Sequence, residues 1–240
     1  MLRISDAWEN RIRPFVAWKA VIRLIKDPTR TFEVFRIIDA LKGSSASRAV
    51  ERLTANDESK ALLINKPSIV KALRSCRIDS TDSLGSIYRK FVSAESISAE
   101  ELIDESKVSP YTGYRSLDER WMGERLRDIH DLFHVITGYG RDALGELCLL
   151  AFTNAQHYNR GIALIVFMGR RQYLRDHPKL PIDACLDEAR NLAINSCWLP
   201  GISWEAKLKL PIRQIREDCR LFHPAIYERT LLEVEKGIYG

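Results

Sequence analysis

The segment HDLFHVITGYGRDALGE, residues 130–146, gathers residue types that bind metal ions. Two histidines and an aspartate fall within five residues, and a glutamate follows a turn that contains two glycines. Residues on a helix advance by about 100° each, so His130, Asp131 and His134 lie within an arc of about 100°. Histidines at positions i and i+4 are a common two-ligand pair on one helical face. The spacing therefore predicts that these three side chains converge on one point.

The residues after His134 predict a tight helical hairpin that returns Glu146 to the same point. Gly138 and Gly140 permit positive φ and end the first helix. Asp142 is a candidate N-cap for the second helix, which is predicted to begin directly after it. Glu146 then lies one turn inside the second helix, and His134 lies one turn before the end of the first. Glu146 therefore completes a predicted His/Asp/His/Glu cluster across the hairpin.

The predicted cluster offers nitrogen and oxygen ligands, which favour zinc first and iron(II), manganese or magnesium after it. Such a set leaves a coordination position for water or substrate, so we expect a catalytic or ligand-binding metal rather than a structural one. The alternative is two partly buried histidines that hydrogen-bond to nearby acids. Asp131 stands where HExxH proteases carry their glutamate base, so it is either a ligand or a general base. The remaining histidines, His157, His177 and His223, do not complete the pattern of HD-type phosphohydrolases.

Helical periodicity extends over most of the 240 residues and predicts an all-α fold with a single domain over residues 1–240. The sequence contains no strand alternation with hairpin turns, no low-complexity tract and no internal repeat. Two basic amphipathic helices are predicted between residues 15 and 42, and the motif lies on a helix over 121–136 and a second one after Asp142. Further helices are predicted at 45–56, 66–75, 82–95, 98–106, 161–177, 181–197, 211–223 and 224–237.

Composition and charge narrow the class of protein. Hydrophobic residues make up 45% of the chain and charged residues 29%, which is ordinary for a globular protein. The first 50 residues hold ten Lys or Arg and five Asp or Glu, an excess that equals the net charge of +5. This basic end suits acidic lipid headgroups or phosphates, with a solvated helix face as the alternative.

The five cysteines are widely spaced and form no CxxC pair, which argues against a disulfide framework or a thiolate zinc cluster. A reducing compartment is the simplest interpretation. No N-terminal signal is evident, and the longest apolar run, GIALIVFMG at 161–169, is too short to span a bilayer. We therefore expect a protein that is cytoplasmic or peripheral on the inner face of a membrane.

Beyond ligand spacing, HDLFHVITGYGRDALGE resembles the signature of the coenzyme Q biosynthesis protein family whose yeast member is numbered four. The pattern is H-D-x-x-H, eleven further residues and then E. Three flanking segments are also similar to that family: DSLGSIYRKF (82–91), ERWMGERLRDIHD (119–131) and GISWEAKLKLPIRQIRED (201–218). The resemblance covers a core of residues 80–220, and the first 80 residues are less diagnostic.

The resemblance implies an all-helical fold, a role in ubiquinone biosynthesis and a divalent metal, zinc first, held by His130, Asp131, His134 and Glu146. The implied reaction acts at C1 of a polyprenylated hydroxybenzoate ring and replaces a carboxylate with a hydroxyl, as a metal-dependent decarboxylase would. The alternative is a non-catalytic scaffold or isoprenoid-lipid-binding module of a membrane-peripheral complex. The implied partners are a polyprenylated quinone precursor or isoprenoid lipid and other ubiquinone-biosynthesis enzymes, without nucleic acid.

Other segments are candidates for binding the lipid, the headgroup or a second copy. The apolar segments 147–152 and 161–168 are candidates to line a groove for a prenyl tail, with core packing as the alternative. Arg127 and Arg141 are candidates to pair with a carboxylate or phosphate headgroup, with surface salt bridges as the alternative. The basic N-terminal helices are expected to dock on an anionic membrane or to form a homodimer. The residues of that dimer face are Phe15, Trp18, Phe32 and Phe35.

Overall fold

The computed structural model describes residues 12–26, 30–78, 80–94, 114 and 116–235. Regular structure in these residues is helical, apart from one isolated β-bridge between Ser83 and Pro211. This confirms the predicted all-α, single-domain fold. The helix predicted at 98–106 lies outside the described residues.

The helices of the described residues follow one another with short connections. The first six are α1 (Pro14–Lys26), α2 (Thr31–Leu41), α3 (Ser45–Thr54), α4 (Asp57–Asn65), α5 (Ile69–Ser75) and α6 (Leu84–Ser93). The next four are α7 (Leu117–Asp128), α8 (His130–Thr137), α9 (Ala143–Gln156) and α10 (Arg160–Asp176). The last four are α11 (Ile182–Asn195), α12 (Trp204–Lys207), α13 (Ile212–Asp218) and α14 (Ala225–Glu235), with a 3₁₀ turn at Leu199–Gly201.

Local capping explains where many of these helices begin. A side-chain oxygen at the N-cap accepts a hydrogen bond from a free backbone N–H of the first turn, which is worth about 0.5–2 kcal/mol for each helix. The α4 helix, which the sequence patterns did not predict, begins at such a cap. The residues that cap in this way are Asn56, Ser68, Ser83, Ser116, Asp142 and Asn159.

The central element of the fold is α9, which packs against α8, α10, α11 and α14. Because helices surround it, α9 is apolar on most sides instead of along one stripe. Its segment 147–152 supplies Leu149 and Phe152 to the main hydrophobic core, and both side chains are fully buried. In this segment, core packing is therefore the observed role.

The two N-terminal helices pack against each other, and α2 also packs against α10. Ala20, Val21 and Ile37 form the small core between them. On the opposite side of α1, Phe15 is 82% exposed and Trp18 is 65% exposed. The two helices therefore leave an apolar face on α1 that the described residues do not cover.

The helix predicted over 121–136 is divided into α7 and α8 by a joint at Ile129. The backbone of Ile129 has φ −93° and ψ 0°, outside the helical range. At the joint, the hydroxyl of Tyr88 donates to the carbonyl oxygen of Asp128 at 3.4 Å. Because a side chain from α6 occupies that carbonyl, the helix bends here. The bend has no local sequence signal, since its partner lies 40 residues away.

The buried histidine at the end of α9 gives the fold a defined acid sensitivity. Burial, with help from Arg48 and Arg52, lowers the pKa of His157 from 6.5 to about 4. The unfolded chain binds a proton at His157 at a higher pH than the folded chain does. The free energy of unfolding is therefore unaffected by His157 above about pH 6.5 and falls as the pH drops from there to about 4. The total loss is about 3 kcal/mol, at about 1.4 kcal/mol per pKa unit.

We therefore expect His157→Gln to flatten the decline in stability between pH 7 and pH 4. Urea unfolding at several pH values measures this decline. The control is His177→Gln, which changes a half-buried histidine and is expected to leave the decline intact. Identical pH slopes for wild type and His157→Gln would contradict the assignment.

Candidate metal centre

The predicted hairpin brings His130, His134 and Glu146 together. One ligand atom from each lies within 4.8 Å of the others. The Nε2 atom of His134 is 3.1 Å from Oε1 of Glu146, and Nε2 of His130 is 3.5 Å from Oε2. The two imidazole rings are nearly perpendicular at 87°, with centroids 5.0 Å apart. Both ring nitrogens therefore face the same carboxylate, each from its own side.

The orientation of His134 is fixed by the backbone of the turn. Its Nδ1 atom lies 3.0 Å from the carbonyl oxygen of Tyr139. A carbonyl only accepts, so Nδ1 carries the proton and Nε2 of the neutral ring carries the lone pair. Histidines that bind metals are commonly held in this tautomer by a backbone carbonyl. The sequence did not predict this contact, because any residue supplies a carbonyl.

The buried Nε2 of His134 lacks a hydrogen-bond partner among the described residues. Its 3.1 Å contact with Glu146 satisfies the distance for an ion pair but not the angles of a hydrogen bond. A buried polar atom without a partner is unfavourable, and a metal ion would satisfy it. Donor atoms around a tetrahedral zinc ion are about 3.3–3.6 Å apart, given bonds of about 2.0–2.2 Å. The nitrogen–oxygen separations of 3.1 and 3.5 Å, which end on the two different oxygens of Glu146, are close to this spacing.

The charges of the cluster also suit a cation. Burial would raise the pKa of Glu146, but the proximity of His130 and His134 outweighs burial and lowers it to about 2. Burial would lower the pKa of His134, yet the Glu146 carboxylate and the Tyr139 carbonyl outweigh it and raise that pKa. The site is therefore built around an ionised Glu146 that attracts positive charge.

The hairpin turn is held by contacts that converge on Asp142. Its Oδ1 atom accepts hydrogen bonds from the N–H groups of Leu144 and Gly145 at 3.1 and 2.9 Å, as the predicted N-cap should. Its Oδ2 atom accepts a short hydrogen bond from the hydroxyl of Tyr227 on α14. The N–H of Gly140 donates to the same hydroxyl at 2.9 Å. Tyr227 therefore ties both ends of the turn together.

Two further features fix the end of α8. Gly138 has φ +90°, a conformation that favours glycine, and its N–H donates to the carbonyl of His134 at 3.0 Å. Arg216 on α13 donates to the carbonyls of Val135 and Ile136, both at 3.0 Å. A cation at a helix C-terminus also interacts favourably with the helix dipole. Arg216 thus braces the helix that carries both histidines.

The structure places Asp131 beside the cluster and outside it. The Asp131 Oδ2 atom lies 3.9 Å from NH2 of Arg141. The guanidinium of Arg141 stacks on Phe91, 3.7 Å from the ring centroid, and Phe91 stacks in turn on His134. Arg141 and Asp131 therefore border the candidate centre. Arg127 contacts Asp128 at 3.2 Å.

Two surface clefts of the described residues lie away from the cluster. One, of about 520 Å³, is lined by residues of α11 and by Phe222, Pro224 and Ile226. Another, of about 390 Å³, lies along α13. Residues of the metal cluster line neither cleft. No helix among the described residues is both long and apolar enough to cross a bilayer.

Comparison with known proteins identifies the family. The sequence model of the coenzyme Q (ubiquinone) biosynthesis protein Coq4 matches residues 9–225, nearly the whole chain. The chain belongs to the Coq4 family. This confirms the resemblance carried by the HDxxH motif and its flanking segments, and it extends the match to the N-terminal helices. Membership in the Coq4 family gives the chain a role in ubiquinone biosynthesis.

A solved structure supports the fold of this Coq4 family member. It is the 2.85 Å crystal structure of a protein from Nostoc punctiforme PCC 73102 that is named for ubiquinone biosynthesis. The two chains are 21% identical and superpose with a TM-score of 0.61, covering 88% of this chain and 98% of that one. At this identity the likeness concerns the fold. No curated protein matches the chain at a significant level.

Proposed function

We propose that this Coq4 family member is a metal-dependent enzyme that acts at C1 of a polyprenylated hydroxybenzoate ring and replaces its carboxylate with a hydroxyl. The observation that carries the proposal is the cluster of His130, His134 and Glu146, where the buried Nε2 atom of His134 lacks a hydrogen-bond partner among the described residues. A metal bound there by three protein ligands retains a position for substrate. When bound, the ion supplies a Lewis acid that polarises a carboxyl group.

The surrounding residues have separate roles in this proposal. The buried His134 holds the ion on its inner side, and His130 and Glu146, which are 33% and 41% exposed, hold it on the side that faces solvent. Arg141, beside the cluster, orients the carboxylate of the substrate by a charged hydrogen bond. For Asp131, which lies next to Arg141, we propose a role as a further ligand or as the group that accepts a proton from the substrate hydroxyl. The reaction releases carbon dioxide and removes two electrons from the ring, so an oxidant such as dioxygen is a second substrate.

A non-catalytic scaffold or isoprenoid-lipid-binding module is the second candidate. It is favoured by the exposed apolar face of α1, where Phe15, Trp18 and Ile22 occupy adjacent helical turns. Lys19 and Arg23 are exposed beside this face. An amphipathic helix with cationic flanks suits a peripheral position on an anionic membrane, or a homodimer contact through the same side chains. In this version the ion holds the polar headgroup of a polyprenylated intermediate for partner enzymes.

Turnover by the purified protein distinguishes the two candidates. The assay supplies a short-chain prenylated hydroxybenzoate, air and one divalent metal at a time to the metal-stripped protein, and mass spectrometry follows carboxylate loss. We expect product only with metal, and restored activity with one preferred ion. Activity that survives complete metal removal would contradict the metal-dependent reaction. Tight, metal-dependent binding of the compound without turnover would favour the binding module.

A further inference from the structure

A pair of cysteines lies together outside the candidate metal centre. Cys197 follows α11, and Cys219 follows α13 directly. The N–H of Cys197 donates to the carbonyl oxygen of Cys219 at 3.1 Å, which places the two residues side by side. Both cysteines are free thiols. Two segments distant in sequence are therefore joined at a thiol pair.

The two thiols differ in exposure and charge. Cys219 is 3% exposed, whereas Cys197 is half-buried. The hydrogen bond from Cys219 lowers the pKa of the Cys197 thiol, and Arg220 and Lys207 add to this effect. That hydrogen bond and burial raise the pKa of Cys219. Cys197 is consequently the nucleophile of the pair, since a thiolate reacts and a thiol does not.

We propose that Cys197 and Cys219 form a peroxide-reactive pair that closes to an intramolecular disulfide. The Cys197 thiolate attacks one oxygen of a hydroperoxide, the O–O bond breaks, and Cys197 becomes a sulfenic acid while hydroxide or alkoxide leaves. The Cys219 sulfur then attacks the sulfenic sulfur, and water leaves with the Cys219 proton. Two thiols thus lose two electrons, and one hydroperoxide is reduced to water and an alcohol or a second water.

The backbone permits this bond with little movement. With standard backbone dimensions, the 3.1 Å hydrogen bond from the N–H of Cys197 to the carbonyl of Cys219 keeps their Cα atoms within about 7 Å of each other. Disulfides bridge Cα separations of about 4.4–6.8 Å. The carbonyl of Cys197 also accepts a hydrogen bond at 3.1 Å from the Gln156 side chain at the end of α9. The disulfide would therefore fasten α13, which carries Arg216, to a segment already bound to the central helix.

Peroxide treatment of the reduced full-length protein tests the pair. We expect two of the five thiols to be lost, as counted with a chromogenic thiol reagent after unfolding. The intact mass should fall by the mass of two hydrogen atoms, and peptide mapping should show one cross-link between Cys197 and Cys219. In Cys219→Ser, Cys197 should instead give a sulfenic acid that dimedone traps.

Cys76→Ser is the matched control, because Cys76 is also a half-buried free thiol. This variant should form the same cross-link at the wild-type rate, and Cys197→Ser should not form it. Retention of all five thiols under peroxide would overturn the proposal. So would oxidation of Cys76 and Cys197 at equal rates without a cross-link, or a cross-link that joins another pair.

Discussion

Glu146→Gln is expected to release the metal ion and abolish turnover while the helical content stays unchanged. The Glu146 carboxylate reaches both histidines, at 3.1 and 3.5 Å, and carries the negative charge of the cluster. Glutamine keeps the shape of the side chain and removes that charge. Since the Glu146 side chain is 41% exposed, little packing is lost.

Metal affinity should fall at least about 100-fold in Glu146→Gln. Loss of a group that only supports a ligand already costs about 10–100-fold, and Glu146 is proposed as a ligand itself. Elemental analysis and calorimetric metal titration measure the loss, and circular dichroism checks the helices. His134→Ala should show the same loss of metal and activity.

Glu228→Gln is the matched control for the charge change. Glu228 also pairs with a histidine, His223, at 2.7 Å, but this pair lies on the surface and far along the chain from the hairpin. Metal content and activity should match the wild type in this variant. If Glu146→Gln bound metal as tightly as Glu228→Gln, the hairpin cluster would not be the metal site.

The part of this site that could be predicted from sequence is the part that local geometry determines. The helical period placed His130 and His134 on one face, and Gly138 and Asp142 marked the end of one helix and the start of the next. Those rules act over a few residues, so they predict that Glu146 lies near the histidines even when the rest of the fold is unknown. The structure has all of these features.

The contacts that complete the site depend on residues far away in the chain. Tyr88 bends the helix at Ile129, Tyr227 closes the turn and Arg216 holds the end of α8. Each of these contacts joins segments separated by 40 to 87 residues. The sequence around a tyrosine or an arginine does not indicate which distant group it will bond to. The position of Asp131 beside Arg141 likewise follows from how α8 packs.

Gly145→Ala adds only one methyl group, but it is expected to lower both stability and metal affinity strongly, because it disturbs the same turn. A Cβ atom on Gly145 would lie 2.2 Å from the carbonyl oxygen of Gly140 and 2.8 Å from its carbon and nitrogen. Backbone atoms cannot rotate away as a side chain can, so the turn must move relative to α9. That movement would strain the hydrogen bond from the N–H of Gly145 to Asp142, now 2.9 Å, and the contacts of Tyr227.

We expect Gly145→Ala to lower the free energy of unfolding by about 1–3 kcal/mol or more, which is the usual cost of overpacking. Metal affinity should fall with it, because the turn sets the distance between His134 and Glu146. Urea unfolding and metal titration of the folded fraction measure the two effects separately.

Gly169→Ala separates this steric conflict from the general effect of adding a methyl group. Its Cβ atom would meet a terminal methyl of Leu147 at 2.7 Å, and that flexible side chain can shift. Alanine also favours the interior of α10 over glycine by about 1 kcal/mol, so stability should change little or rise. Metal affinity should stay at the wild-type value. If Gly145→Ala bound metal as tightly as the wild type, Glu146 would reach the histidines without this close approach of the turn and α9. That result would contradict the proposal that the hairpin geometry forms the site.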